Sequence, residues 1–390
     1  MTSHTWSLPS GWLTRAAAVT AACLAALSVG TSAATAAPAK PAAPESPQVI
    51  NASLTGVSCS STTSCMAVGW FQGSVPGTSA YEQQTLTESW NGTTWAVVHS
   101  PTPGPSSDGA VLNAVSCASS SNCMAVGDRL VTRTQTGGIY VVDKPLAEAW
   151  NGHKWSVVPT AKLAYIGASL NGVACLSSSS CIAVGNEGTV PKPYLLTLAE
   201  AWNGTAWKSV ATPRPVTRGG TSLSAVSCAS STACMAVGYD GFNYGTGAEA
   251  TLAEHWDGTA WDRLSTPTPN ANGSLNGVTC VAVHACLAVG SHAGKGNRAT
   301  GTLSEQWQGT GWKVQPTPDP ATANFADLDS ISCTGPTACM ATGGGAAEEG
   351  ESGLTVAQVW NGMTWRLLKS PAPGSYSDEL FGVSCASASA

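Results

Sequence analysis

A chain of 390 residues is long enough to bury several packed units. Charged residues make up 10% of it and the net charge is −6, with no Lys/Arg run, so there is no electrostatic footprint for a nucleic-acid partner. Abundant Ser, Thr, Gly and Asn, and no sustained 3.6-residue apolar period after residue 45, exclude a helical body and favour short strands joined by turns.

Residues 1–36 read as an export signal. Arg15 precedes the apolar run 16–29, and Ala34-Thr35-Ala36 offers small residues for cleavage before Ala37. The run is too short for a comfortable membrane span and no second candidate follows, so no span is expected. Cys23 as a lipid-anchored cysteine is a competing reading, weakened because the apolar run continues past it. Residues 37–53, the stretch to 50 rich in Ala and Pro, are expected to be a disordered lead-in. The chain is therefore expected to be secreted and extracellular.

Beyond the signal, twelve cysteines form six Cys-x5-Cys pairs: Cys59/Cys65, Cys117/Cys123, Cys175/Cys181, Cys228/Cys234, Cys280/Cys286 and Cys333/Cys339. An exported chain makes disulfides the default reading. Zinc is the alternative, but this is not a usual zinc spacing and no histidine recurs beside the pairs, so neither a metal nor a cofactor is expected. Cys385 has no partner in the pattern.

First cysteines fall at 59, 117, 175, 228, 280, 333 and 385, in steps of 58, 58, 53, 52, 53 and 52. A period near 50 points to a propeller or an array. Units begin near residues 54, 112, 170, 223, 275 and 328, with a partial one at 380 and a tail at 386–390. Each unit reads as four strands. The first is Leu-x-x-Val-Ser-Cys, as in Leu223–Cys228, and the second is Cys-Met-Ala-Val-Gly, as in Cys234–Gly238. The third alternates, with Leu86, Glu88 and Trp90 on one face, and ends in Asn91-Gly92 or its counterparts, which supply hairpin-turn conformations. The fourth opens with a second tryptophan, as in Trp95–Val98, and breaks at proline. Twelve of the fifteen tryptophans are these paired positions, most simply packing between adjacent sheets.

A glycine closing an apolar second strand, an aromatic before a turn, a tryptophan opening the fourth strand and a trailing proline together resemble the kelch-type β-propeller repeat, here of a secreted bacterial type with a disulfide hairpin in each repeat. The resemblance spans about residues 54–385. Kelch units usually carry a double glycine, whereas Gly69, Gly127, Gly185, Gly238 and Gly290 stand single and only Gly343-Gly344 keeps the pair. The Trp-Asn-Gly-Thr-x-Trp turn is also distantly similar to the Asp-box of sialidase propellers, without its Ser-x-Asp core. The resemblance implies an all-β propeller of four-stranded antiparallel blades and constrains function little. Six blades are expected, with seven, the last incomplete, as the alternative.

In such blades the loops joining strands two to three share one face of the disk with the links between blades. The Cys-x5-Cys loops and Asn-Gly turns share the other. The second face is nearly uniform; the first varies from unit to unit, which is where binding residues concentrate. Trp70, Tyr81, Tyr140, Tyr239, Phe242 and Tyr244 are the contact candidates. Glu88, Glu148, Glu200, Glu254 and Glu305, with Gln358 in the sixth unit, tempt a glycosidase reading. However, residues copied into every unit see equal surroundings, whereas a catalytic pair needs unequal ones, so a structural hydrogen bond is the better reading. The histidines do not cluster and the arginines show no pattern. Asn51, Asn91, Asn203 and Asn272 fit the glycosylation sequon, three of them inside turns. The expectation is a monomeric, non-enzymatic binding or adhesion module for a carbohydrate, cell-wall polymer or extracellular protein. The alternative is a polysaccharide hydrolase or lyase with acids such as Asp240 or Glu349 at the propeller mouth, and a third is a purely structural surface protein.

Overall fold

The computed structural model describes residues 23–28 and 49–387, apart from 75–80, 102, 104–108, 136–137, 164–166, 189–194, 214–218, 243–248, 295–298, 348–352 and 372–377. A separate strand, β1 (Cys23–Ser28), comes first. Blade 1 is β2 (Val49–Ser61), β3 (Ser64–Ser74), β4 (Tyr81–Trp90) and β5 (Trp95–Val98). Blade 2 is β6 (Ala110–Ser119), β7 (Asn122–Gln135), β8 (Gly138–Trp150) and β9 (Trp155–Val157). Blade 3 is β10 (Gly167–Ser177), β11 (Ser180–Gly188), β12 (Leu195–Trp202) and β13 (Trp207–Val210). Blade 4 is β14 (Gly220–Ser230), β15 (Ala233–Phe242), β16 (Ala250–Trp256) and β17 (Trp261–Leu264). Blade 5 is β18 (Gly273–Ala282), β19 (Ala285–Ala293), β20 (Thr300–Trp307) and β21 (Trp312–Gln315). In blade 6 the inner strand is split into β22 (Phe325–Ala326) and β23 (Ser330–Gly335), followed by β24 (Ala338–Ala346), β25 (Leu354–Trp360) and β26 (Trp365–Leu367). The last strand is β27 (Glu379–Cys385). All pairings are antiparallel, and one short 3-10 turn at Pro269–Ala271 is the helical content of the described residues.

The inner strands touch in the order β2, β6, β10, β14, β18, β23, β27 and back to β2, which closes a ring. Six blades of four strands are therefore present, and β27 takes a seventh inner position. It repeats the contacts that join the blades. Where serine precedes the first cysteine, its hydroxyl accepts the next unit's cysteine N–H: Cys117 N to Ser58 Oγ at 3.0 Å and Cys175 N to Ser116 Oγ at 2.9 Å. Cys385 N donates to Ser332 Oγ at 3.0 Å in the same way, and Cys59 N of blade 1 donates to Ser384 Oγ at 3.0 Å. The outer edge of β27 takes β1, with Cys23 opposite Cys385, the register of the disulfide hairpins. Cys385, which the repeat pattern left without a partner, is disulfide-bonded. Because β1 lies within the expected export signal, this pairing describes the unprocessed chain.

Packing between blades follows from the strand period. Met66 and Val68 of blade 1 meet Leu112, Val115 and Trp155 of blade 2, and Met124 and Val126 of blade 2 meet Leu170 and Trp207 of blade 3. The core is thus a series of seams. Trp155, Trp207, Trp261, Trp312 and Trp365, the second tryptophans of units 2 to 6, fill seams, joined there by Trp256 and Trp360. Trp90, Trp150 and Trp202 instead close their own blades, donating their indole N–H to Thr62, Ser120 and Ser178 carbonyls of the cysteine loops at 3.1, 3.2 and 3.0 Å. The turns work as their sequence suggests. Gly92, Gly152, Gly204 and Gly258 have φ between 91° and 99°, and Asn91 Oδ1 accepts Thr93 N at 2.9 Å and Thr94 N at 3.0 Å. Asp257, the acidic variant, is held down to about 2 by the Thr259 hydroxyl and then by the Ala260 and Thr259 N–H groups.

All six Cys-x5-Cys pairs form disulfides, each within its own hairpin: Cys59–Cys65, Cys117–Cys123, Cys175–Cys181, Cys228–Cys234, Cys280–Cys286 and Cys333–Cys339. The two halves of a bridge are not equivalent. Cys65, Cys123, Cys181, Cys234, Cys286 and Cys339 are all buried, and all but Cys65 belong to the seam core, while their partners are half-buried. The second sulfur also rests on the carbonyl four residues back. Cys65, Cys123 and Cys181 Sγ lie 3.8 Å from the Ser61, Ser119 and Ser177 oxygens. Cys234 and Cys339 Sγ lie 3.7 Å from the Ser230 and Gly335 oxygens. A bridged sulfur has no proton to donate, so these are packing contacts and not hydrogen bonds. The spacing could not disclose this double role, because burial follows from strand alternation and from the neighbouring blade.

Such bridges point to an oxidising environment. Because each closes a short loop, replacing both Cys228 and Cys234 with serine is expected to cost about 2 kcal/mol through the lost loop closure and leave the ring intact. Scanning calorimetry with circular dichroism checks this; loss of the folded signal would show that the clamp is needed for folding.

Candidate functional site

Strands two and three run past the glycine that closes the sequence motif. Residues expected in loops, among them Trp70, Tyr140, Tyr239 and Asp240, therefore lie in strands. Strand alternation then decides their fate. Trp70 is half-buried, while its neighbour Phe71 points the other way and is buried. Asp240, a candidate catalytic acid, is 1% exposed, paired with Arg263 at 2.5 Å and bonded by Thr221 Oγ1 at 2.8 Å. It is a structural ion pair inside blade 4, not an acid at an open mouth. Tyr81, Tyr140 and Phe242 sit in β4, β8 and β15, but their side chains lie outside the described residues, as do Tyr244 and Glu349 altogether.

Trp70 and Tyr239 share one structural position, the residue after the closing glycine. There Trp70 pairs with Ser53 and Tyr239 with Ser222. The same position holds Asp128, Asn186, Ser291 and Gly344 in the other blades. It lies toward the variable end of the inner strands and faces the next blade. Asn186 Nδ2 donates to Ser222 Oγ at 3.2 Å, and Asp128 Oδ1 accepts from Ser169 Oγ at 2.7 Å and from Asn113 Nδ2 at 3.1 Å. A second belt runs beside it. Asn113, Asn171 and Asn276 donate to the Leu170, Leu223 and Leu328 carbonyls of the following blades at 3.0, 2.9 and 3.1 Å.

At the junction of blade 6 with β27 this amide belt turns acidic. Asp329 takes the asparagine position, and carboxylate oxygens of Asp327, Asp329 and Glu379 lie within 4.8 Å of one another. Gly344 N donates to Asp327 Oδ1 at 3.3 Å. Burial first, then the Asp327 and Glu379 charges, pushes the Asp329 carboxyl well above the ordinary range, and burial raises Asp327 and Glu379 as well. Such a group keeps a proton at neutral pH. Sequence reading missed this trio because Asp327 and Asp329 sit in the break between β22 and β23 and Glu379 in the partial seventh unit. The signal was present: aligning Thr55, Asn113, Asn171, Ser224, Asn276 and Asp329 shows one acid in a series of neutral polar residues.

No family model matches the chain, and no curated protein matches it. Solved structures do. It is similar to YCF48 bound to D1 peptide (14% identity, 85% of this chain and 87% of that one, TM-score 0.44). It is also similar to a polysaccharide lyase, an ulvan lyase (10%, 86% and 83%, TM-score 0.47), and to a Penicillium chrysogenum α-L-arabinanase complexed with arabinobiose (11%, 74% and 88%, TM-score 0.42). Likeness at this identity concerns the fold alone, and the propeller assignment above rests on the strand pairing.

Proposed function

We propose that the protein is an extracellular, non-enzymatic binding module whose ligand, a carbohydrate or cell-wall polymer, seats on the variable end of the inner ring. One observation carries this reading. The glycine and leucine around the variable position are the same in all six blades, yet that position presents Trp70, Asp128, Asn186, Tyr239, Ser291 and Gly344. A fixed frame with a different side chain in each copy is how a rigid scaffold displays recognition groups. Two half-buried aromatic faces among hydroxyl, amide and carboxyl groups suit a sugar ring, stacked on one side and hydrogen-bonded at its edge.

A glycan array on the mature protein and on a Trp70→Ala/Tyr239→Ala variant tests it. The variant is expected to bind about tenfold or more weakly while keeping its circular dichroism and melting temperature. Unchanged binding would remove the proposal. A second reading, a polysaccharide hydrolase or lyase, is favoured by the proton-retaining Asp327/Asp329/Glu379 trio, since a carboxyl beside two others is the arrangement of a general acid with a base. Newly released chain ends from the bound glycan would decide for it.

A further inference from the structure

Strands β8, β12, β16, β20 and β25 each carry one buried Glu or Gln at the same position, aimed at the preceding unit. Glu148, Glu200 and Glu305 are 0% exposed, Glu254 is 1%, and Gln358 in blade 6 is 0%. Gln358 shows what such a pocket asks for. Its Nε2 donates to the Pro318 carbonyl at 3.1 Å and to Thr302 Oγ1 at 3.4 Å, both on blade 5. The pocket offers acceptors and wants a donor.

The links between blades explain why. At the position of Pro318 the other links carry Pro101, Ala161, Pro213 and Pro267. Proline has no N–H to give a carboxylate. In the one link with alanine, Ala161 N donates to Glu200 Oε2 at 3.0 Å. Glu200 Oε1 has no such partner, nor do Glu148 Oε1, Glu254 Oε2 or either Glu305 oxygen, all of them buried. The hydroxyls facing Glu254 and Glu305 are committed elsewhere: Thr197 Oγ1 donates to Thr212 Oγ1 at 2.8 Å and Thr251 Oγ1 to Thr266 Oγ1 at 2.9 Å. Their lone pairs remain open to a donor. An ionised carboxylate in this pocket would be both desolvated and unmatched, whereas a carboxylic acid supplies the hydrogen that Gln358 supplies.

We propose that Glu148, Glu254 and Glu305 are proton-held latches between blades: each is folded as the neutral acid, donates across its seam, and on losing its proton loosens the propeller. The surroundings agree. Burial pushes Glu148 and Glu254 up to about 8 and Glu305 to about 7. The group facing Glu148 is the Ser100 hydroxyl, 2.7 Å from Oε2. Its one hydrogen can go to Thr85 Oγ1 at 2.8 Å, which leaves its lone pair to accept from the protonated Glu148. The group facing Glu305 is Thr251. Glu254 also senses Arg263, which favours its charge, and Asp240, which opposes it. Because the folded values lie above the ordinary 4.5, the stabilisation is complete below about pH 4.5 and is lost as pH rises through 7 to 8.

Thermal unfolding from about pH 5 to about pH 9 tests the latches. The natural protein is expected to lose roughly 5 °C or more in Tm on the alkaline side. A Glu148→Gln/Glu254→Gln/Glu305→Gln protein should match it near pH 5 and lose markedly less than it does to about pH 9. The remaining slope comes from Asp327, Asp329, Glu379 and Glu200, which burial also raises. Conversely, Gln358→Glu adds a fourth latch and should steepen the natural profile. Parallel profiles for all three proteins would overturn the proposal. Should the triple variant fail to fold, the Gln358→Glu profile alone decides, since a merely structural role would lower Tm by the same amount at every pH.

Discussion

Replacing Gly238 with alanine is expected to destabilise the protein by about 3 kcal/mol or more, enough to unfold blade 4 and with it the ring. Strand β14 bulges between Leu223 and Ala225, and the bulge pushes the Ser222 carbonyl onto Gly238 of β15. A Cβ at Gly238 would overlap that oxygen and stand 2.9 Å from the Leu223 Cα and the Ser222 carbonyl carbon. These are backbone atoms in a paired strand, so no side-chain rotation relieves the clash. Gly69, Gly127, Gly185, Gly290 and Gly343 meet the same obstacle in their own blades, which is why each second strand closes on glycine. Gly311→Ala is the control, since its Cβ would meet nothing within 4 Å. Urea unfolding of the two variants is the measurement. Equal midpoints would mean that the bulge relaxes at little cost, and the fixed frame around Trp70 and Tyr239 would lose its physical basis.

That glycine also marks the limit of what the chain discloses unaided. Up to Gly238 the sequence is explicit, because cysteine spacing, Asn-Gly turns and paired tryptophans each have one local meaning. Even there the meaning is incomplete: the spacing pairs Cys228 with Cys234 but is silent on which sulfur is buried. Past the glycine, Tyr239-Asp240-Gly241-Phe242 carries no apolar alternation and reads as loop. Backbone pairing with Gly220, Ser222, Ala250 and Thr251 extends the strand regardless. The burial of Asp240 follows from that extension and from Arg263, which stands in another strand and is invisible to a local reading. The glutamates were legible as structural from their recurrence, but their partners were not uniform. Glu200 takes a backbone N–H, Glu148 a serine hydroxyl, and the difference lies in whether the link carries alanine or proline, far away in sequence. Placing the segment after residue 378 likewise needed the ring, since a lone Leu-x-x-Val-Ser-Cys has no partner in its own unit.

Deleting residues 379–390 is expected to open that ring. Strand β27 buries Leu380 at 4% exposure and Val383 at 5% between blade 6 and blade 1. Its backbone passes so near β2 that a Cβ on Gly382 would stand 3.3 Å from the Gly56 Cα. Beside its pairing with β1 and that of Glu379 with Gly344, three hydroxyl bonds tie it to blades 1 and 6, Cys59 N to Ser384 Oγ at 3.0 Å, Cys385 N to Ser332 Oγ at 3.0 Å and Val383 N to Ser330 Oγ at 3.2 Å. Two large apolar side chains at about 1.5–3 kcal/mol each and three hydrogen bonds at about 1 kcal/mol each sum to roughly 6–9 kcal/mol. That is comparable with the whole stability of an ordinary domain, about 5–15 kcal/mol. The seam is already the weakest in the ring: Leu54 and Trp95, which face it from blade 1, are half-buried, while their counterparts Leu112, Trp155, Leu170 and Trp207 are buried. Without β27 these two residues, with Met340 and Ala357 on the other side, would lie open to water. The shortened chain should bind a hydrophobic dye, sediment more slowly and melt over a broad range, because blades in an open row unfold one after another instead of together. A sharp melt at the natural temperature would show that blades 6 and 1 close on each other directly, and the seventh inner position would then be dispensable.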